Sequence, residues 1–233
     1  MLAALLALCL TAASAQADEP PKLGAELDAI AAGFAKKAPA AMKQTFAKGI
    51  ADVEATGILD RALNVGDASI DAELPAPDGS TVKLSKLWSQ KPLVIAFYRG
   101  GWCPYCNTQL RALERALGDI EGAGAKLVAI TPELPEKARE TAVKNKLSLT
   151  VLTDRGNALA TQMGIAFTLP DAILPIYKSR IGLEAYNGDA SYQLPLAATY
   201  VIDTKGVIRY AFLDADYKKR AEPADVVAAV KAL

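Results

Sequence analysis

Residues 92–106 read PLVIAFYRGGWCPYC, and the fold follows from how this stretch changes character along its length. Residues 92–98 form an unbroken apolar run of strand length, the pattern of a strand covered on both faces. Gly100-Gly101 interrupts the run, and Pro104, whose fixed φ suits the first helical position, opens a second pattern. There Leu110, Leu113 and Leu117 recur at helical spacing, predicting a helix over 104–121. The unit is strand, loop, helix, with Cys103 at the helix N-terminus and Cys106 on its first turn.

Outward from this unit the alternation continues. Strands are expected at 126–130 and 149–152, helices at 135–144 and 157–163, and a short helix before the unit at 84–89. Residues 168–196, rich in Pro, Gly and Tyr, read as an insertion with one helix near 171–178. Strands at 199–202 and 207–213 flank the turn Asp203-Thr204-Lys205-Gly206, and Pro223 starts a last helix carrying Val226, Val227 and Val230 inward. The expected class is α/β, a central mixed sheet flanked by helices. Ahead of it, residues 22–63 place Leu23, Leu27, Ile30 and Phe34, then Met42, Phe46, Ile50 and Val53, on two helical stripes separated at Ala38-Pro39. These stripes are expected to cover the following domain; their other use would be a homodimer or partner surface.

Residues 1–15, MLAALLALCLTAASA, carry no charged side chain and end in small residues, which reads as a secretory signal with cleavage after Ala15 or Ala17. The expected location is periplasmic or secreted. The mature chain then keeps only Cys103 and Cys106.

Composition narrows the chemistry. The 233 residues hold 26 Lys and Arg against 26 Asp and Glu and show no basic block, so a nucleic-acid partner is not expected. There is no histidine, which removes imidazole catalysis and the commonest zinc sites. Two thiols cannot form a four-ligand metal site, and the absence of a Gly-rich nucleotide loop fits chemistry without any cofactor. A disulfide across so short a loop constrains little chain entropy, so the pair reads as redox-active and not as a staple. A helix N-terminus lowers thiol pKa values, and Arg99, at the mouth of the same strand, can add to that effect.

The segment Phe97-Tyr98-Arg99-Gly100-Gly101-Trp102-Cys103-Pro104-Tyr105-Cys106, with Ala198-Thr199-Tyr200-Val201-Ile202-Asp203 ahead of Lys205-Gly206, resembles a thioredoxin-fold protein. More closely it resembles the peroxiredoxins, the alkyl hydroperoxide reductase and thiol-specific antioxidant family, in a branch carrying C-x-x-C. Gly66-Asp67, Leu74-Pro75, Asp78-Gly79 and Leu84-Ser85-Lys86-Leu87-Trp88 match that family's N-terminal region, and the likeness covers residues 64–233. It implies a thiol-dependent peroxidase acting on hydrogen peroxide or alkyl hydroperoxides through Cys103 and Cys106. A thioredoxin-like protein would be its reductant, and Arg99, Trp102 and Thr199 are the pocket candidates. The alternative is a thiol-disulfide oxidoreductase acting on exported proteins.

Departures from the family pattern matter. Aligned on the peroxiredoxin motif, Cys106 takes the peroxidatic position and Cys103 that of its Thr; by thioredoxin analogy Cys103 is the nucleophile, and both assignments stay open. Ala197 stands where peroxiredoxins carry an active-site Arg and thioredoxin-like reductases a cis-Pro; Arg99 or Arg209 is expected to supply the charge. Thr131 and Pro132 read as a chain turn, and Asp214, Asp216, Tyr217, Lys218, Lys219 and Arg220 as a solvated surface.

Overall fold

The computed structural model describes residues 22–233; the expected signal segment and its Cys9 lie outside the described residues. The chain begins with α1 (Leu23–Lys37), α2 (Ala40–Glu54) and the short α3 (Ile58–Arg61). It continues through β1 (Glu73–Pro75), β2 (Thr81–Lys83), α4 (Leu84–Trp88), β3 (Leu93–Phe97), α5 (Pro104–Arg115), α6 (Leu117–Gly122), β4 (Lys126–Thr131), α7 (Pro135–Asn145), β5 (Thr150–Thr153) and α8 (Ala158–Gln162). Then come β6 (Ala166–Thr168), α9 (Leu174–Ile176), α10 (Leu183–Asn187), β7 (Gln193–Pro195), β8 (Thr199–Ile202), β9 (Ile208–Phe212) and α11 (Pro223–Lys231).

Five strands form one sheet in the order β5-β4-β3-β8-β9, with β3 central, parallel to β4 and antiparallel to β8. The continuous apolar run of β3 has a direct cause. Leu93, Ile95 and Phe97 enter one core and Val94, Ala96 and Tyr98 the other, so neither face of the strand meets water. The second core holds α5, both cysteines and α11, which sets the dithiol on one face of the sheet at the end of its central strand.

The stripes of the leading helices face the core in part. Leu23 and Leu27 of α1 join the core around α5, and Val53 and Ile58 join the opposite one. Burying each such side chain stabilises by about 1.5–3 kcal/mol. The first amides of α1, from Leu23 and Gly24, donate to the Glu222 carboxylate at 3.1 and 2.6 Å, satisfying helix-end donors and tying α1 to the start of α11. Phe34 and Phe46 meet edge to face at 5.6 Å, locking α1 to α2.

Two expected elements differ. The helix read over 104–121 is two helices, because the chain turns at Ala116 (φ −91°, ψ 0°), which lets Ile120 of α6 reach the core shared with β4. The insertion holds more order than one helix. Strands β6 and β7 close its base in an antiparallel ladder, and α9 runs into a wider π-helical turn, Tyr177–Ile181, before α10. Leu169, Ile173, Tyr177, Leu183 and Leu194 give it a small core of its own. Strands of three residues carry too few alternations to be legible as strands.

Candidate active site

Cys103 is the N-cap of α5 (φ −90°, ψ 117°), with Pro104 at the first helical position and the Asn107 amide bonded to the Cys103 carbonyl at 3.0 Å. The loop before it is held by close approach. Gly100 sits at φ +149°, and a Cβ there would fall 2.2 Å from Trp102 Nε1. A Cβ on Gly101 would fall 2.0 Å from Thr141 Oγ1, so both positions need glycine. The Gly101 amide donates to Glu133 Oε1 at 2.9 Å, and the Gly101 carbonyl accepts from Asn107 Nδ2 at 2.8 Å. Asn145 Nδ2 in turn reaches Asn107 Oδ1 at 2.8 Å. Burial pushes the Glu133 carboxyl above its ordinary range, partly opposed by the Gly101 amide.

Each sulfur faces its own guanidinium. Arg99 Nη2 lies 3.4 Å from Cys103 Sγ, while Nη1 donates to the Tyr177 hydroxyl at 3.0 Å. The Arg99 guanidinium also stands 4.1 Å from the Tyr217 ring centre and 5.2 Å from that of Trp102. Arg220 Nη2 lies 3.6 Å from Cys106 Sγ, and its Nε donates to Gln109 Oε1 at 2.8 Å. Among the described residues, Arg99 Nε and Trp102 Nε1 are buried donors without a partner.

The electrostatic outcome is unequal. Burial opposes charge on Cys103, but the hydrogen bond from the Cys106 thiol and the charges of Arg99 and Arg220 outweigh it, holding Cys103 well below the ordinary thiol range. Burial pushes Cys106 up, and donating to Cys103 beside its negative charge pushes it further. Both effects favour negative charge on Cys103 over Cys106.

Access is unequal too. Cys103 forms part of the floor of a cleft of about 640 Å³, whose walls are α1, α2 and the insertion; Cys106 does not line it. Behind Arg99 lies a second cavity of about 20 Å³, bordered by Pro195 and Ala197. Ala197 and Arg99 thus border the same cavity.

Of the expected pocket residues, Arg99 and Trp102 line the cleft, and Trp102 packs edge to face on Tyr177 at 5.4 Å. Thr199 does not line it. That residue is fully buried on β8 and meets the site only through Gln109 Nε2, 3.4 Å away, because inward-facing strand residues are covered by α5. Arg209 is also excluded, being paired with Asp203 at 2.7 Å beside the β8–β9 turn. Thr131 ends β4, and its hydroxyl accepts from the Glu133 amide at 3.3 Å.

The run 214–220 is not uniformly a solvated surface. Arg220 is only 6% exposed and Tyr217 is half-buried over Arg99, because this segment folds back across the dithiol before α11. Tyr177, Glu133 and Gln109 were equally missed. The one usable sign was an arginine and a tyrosine in a segment otherwise suited to water, and it did not distinguish them from their charged neighbours.

A sequence profile of the AhpC/TSA family matches residues 65–211. Peroxiredoxin Q, chloroplastic, of Populus jackii is 29% identical over 150 residues, 64% of this chain and 60% of that protein. Peroxiredoxin Bcp of Escherichia coli (strain K12) is 31% identical over 103 residues, 44% of this chain and 65% of that protein. The matched stretch thus spans about 60% of the length of such curated relatives. Among solved structures, peroxidoxin BcpB from Mycobacterium tuberculosis superposes with a TM-score of 0.58 at 21% identity, over 73% of this chain and 98% of that one. Xanthomonas campestris peroxiredoxin Q gives 0.54 at 19%, over 74% and 98%. At these identities the likeness establishes the fold, a thioredoxin-like one. Helices α1–α3 precede the stretch the family profile covers.

Proposed function

The chain belongs to the AhpC/TSA family, and from that premise we propose that it is a thiol-dependent peroxidase in which Cys103 attacks the peroxide and Cys106 resolves the product. The observation that carries this assignment is positional: Cys103 Sγ lies at the helix N-terminus, on the floor of the cleft, 3.4 Å from Arg99 Nη2, whereas Cys106 is sealed beneath it.

In the first step the Cys103 thiolate attacks the terminal oxygen of ROOH. A sulfur–oxygen bond forms, the O–O bond breaks, and its electron pair leaves on RO⁻, which takes a proton to give ROH; Cys103 becomes a sulfenic acid. Arg99 and Arg220 favour the nucleophile as its anion, and the unpartnered Arg99 Nε is a donor available to the departing oxygen. In the second step the Cys106 sulfur displaces the sulfenic hydroxyl, forming the Cys103–Cys106 disulfide and releasing water. A thioredoxin-type dithiol then reduces that disulfide through a mixed disulfide and is itself oxidised. The apolar residues 1–15 support export, so the cycle would run in a periplasmic or secreted protein; N-terminal sequencing of exported material, expected to begin after Ala15 or Ala17, tests this.

Stopped-flow mixing of the reduced protein with peroxide tests the chemistry. The Cys106→Ser protein is expected to accumulate sulfenic acid on Cys103, trappable by dimedone, while Cys103→Ser yields none. Sulfenic acid on Cys106 at the wild-type rate in the Cys103→Ser protein would reverse the assignment. A wild-type rate no faster than free cysteine, together with efficient reduction of protein disulfides, would replace the peroxidase with a thiol-disulfide oxidoreductase.

A further inference from the structure

When the O–O bond breaks, the departing oxygen must gain a proton. Arg99 cannot give one up, because a guanidinium stays protonated in proteins. Cys106 carries a proton but does not line the cleft. Three tyrosines line it, Tyr105, Tyr177 and Tyr217, and their geometry separates them. Tyr217 turns its ring face to Arg99, 4.1 Å from the guanidinium, and Tyr105 packs its ring edge to face on Tyr217 at 5.6 Å. Tyr177, only 1% exposed, instead brings its hydroxyl to Arg99. That oxygen accepts from Nη1 at 3.0 Å, while Nη2 of the same planar group lies 3.4 Å from Cys103 Sγ, so hydroxyl and sulfur meet around one guanidinium. Because Arg99 can only donate, the hydrogen of the Tyr177 hydroxyl is not used in that bond, and it has no acceptor among the described residues. Leu169, Ile173, Leu183 and Leu194 pack around Tyr177 and fix its position.

We propose that Tyr177 is the general acid of the first step, its hydroxyl passing a proton to the departing oxygen as the Cys103 sulfur takes the terminal one. The inference rests on the peroxidase reading and deepens it. Cys103–S⁻, ROOH and Tyr177–OH become Cys103–SOH, ROH and Tyr177–O⁻. The sulfur–oxygen bond forms, the O–O bond breaks, the sulfur gives two electrons to the peroxide, and the leaving oxygen takes the phenolic proton. The phenolate is left against the Arg99 guanidinium, in a hydrogen bond now charge-assisted from both sides, and regains a proton from water in the cleft. Burial and the Cys103 charge push the Tyr177 hydroxyl above its ordinary range, with Arg99 opposing them. The phenol therefore keeps its proton at neutral pH until a stronger base, the alkoxide, forms beside it.

Stopped-flow oxidation of the reduced full chain tests it through the leaving group. Peracetic acid expels acetate, a weak base that departs without a proton, whereas hydrogen peroxide and tert-butyl hydroperoxide expel strong bases that need one. Tyr177→Phe removes the hydroxyl and keeps the ring that packs on Trp102. It is expected to slow Cys103 oxidation by hydrogen peroxide and tert-butyl hydroperoxide roughly ten- to a hundred-fold, the lower reach of general acid catalysis, because cleft water partly replaces the lost group. The peracetic acid rate should stay close to wild type. Lost packing, or lost charge support for Cys103, would slow all three oxidants alike, so the ratio isolates the acid. Equal slowing, or none, overturns the proposal, as does a changed ratio in Tyr105→Phe without one in Tyr177→Phe. A second measurement needs no variant. Across a series of hydroperoxides and peracids, the wild-type rate should depend less steeply on leaving-group basicity than that of free cysteine thiolate, and an equal slope overturns the proposal. Any of these failures with fast wild-type oxidation leaves the peroxidase standing; a wild-type rate no faster than free cysteine sinks both.

Discussion

Cys103 and Cys106 lie within one turn of each other at the start of one helix and are almost equally buried, at 1% and 0% exposure, yet their surroundings differ in what controls reactivity. Cys103 opens into the cleft, caps the helix, faces Arg99 and accepts from the other thiol. Cys106 is closed off, faces Arg220 and is the donor of that same hydrogen bond. Solvent exposure therefore does not distinguish the two sulfurs. The distinction comes from which one has an approach path and which one the surrounding positive charge favours as an anion.

Removing the charge that favours Cys103 is the most severe way to break this contrast short of removing a sulfur. Arg99→Met is expected to lower the second-order rate of Cys103 oxidation by about a hundred-fold, the order lost with one preorganised donor at a site of developing charge. Stopped-flow rates over a peroxide series give the number, and a change below two-fold would return the anion's stabilisation to the helix terminus alone. Arg220→Met acts on the other side of the comparison. Sulfenic acid should persist roughly ten-fold longer before the disulfide forms, as the loss of one charge-assisted hydrogen bond implies, seen as a slowed second phase after an oxidation phase that is less affected.

The pH dependence sharpens the same contrast. Because Cys103 is held well below the ordinary thiol range, oxidation should be level through neutral pH and decline only as acid protonates the thiolate. With Arg99→Met the anion loses support, its pKa rises, and the decline moves to higher pH. A rate profile that does not move would remove Arg99 from the control of this group. The smallest expected effect is structural. Gly101→Ala drives a methyl against Thr141, and the overpacking should cost about 1–3 kcal/mol. In a domain this size that lowers Tm by roughly 2–4 °C per kcal/mol, read by calorimetry.

Much of the framework was legible because its signals are local. The β3 run, the glycine pair, Pro104 and the cysteine spacing act over fifteen consecutive residues, and each has a conformational meaning that needs no distant partner. The stripes of α1 and α2 were legible as amphipathic helices for the same reason. What they cover was only partly so, since a stripe shows that a face is buried and not that its outer end, at Phe34 and Phe46, walls a cleft. Thr199 is the converse case: its place on β8 is legible, but only the packing sets it in the core beneath α5 and apart from the cleft lining.

The sequence by itself determined the secondary structure around the dithiol, the exclusion of imidazole chemistry and the placement of two thiols at a helix N-terminus. These depend on neighbouring residues and on composition. Only the tertiary structure decided that Arg220, more than one hundred positions from Cys106, and Tyr217 fold over the site, that Glu133 ties down the loop, and that Cys103 alone faces the cleft. Charge and access act through space and fall off over a few ångströms, and a separation along the chain does not record which distant side chains come within that reach.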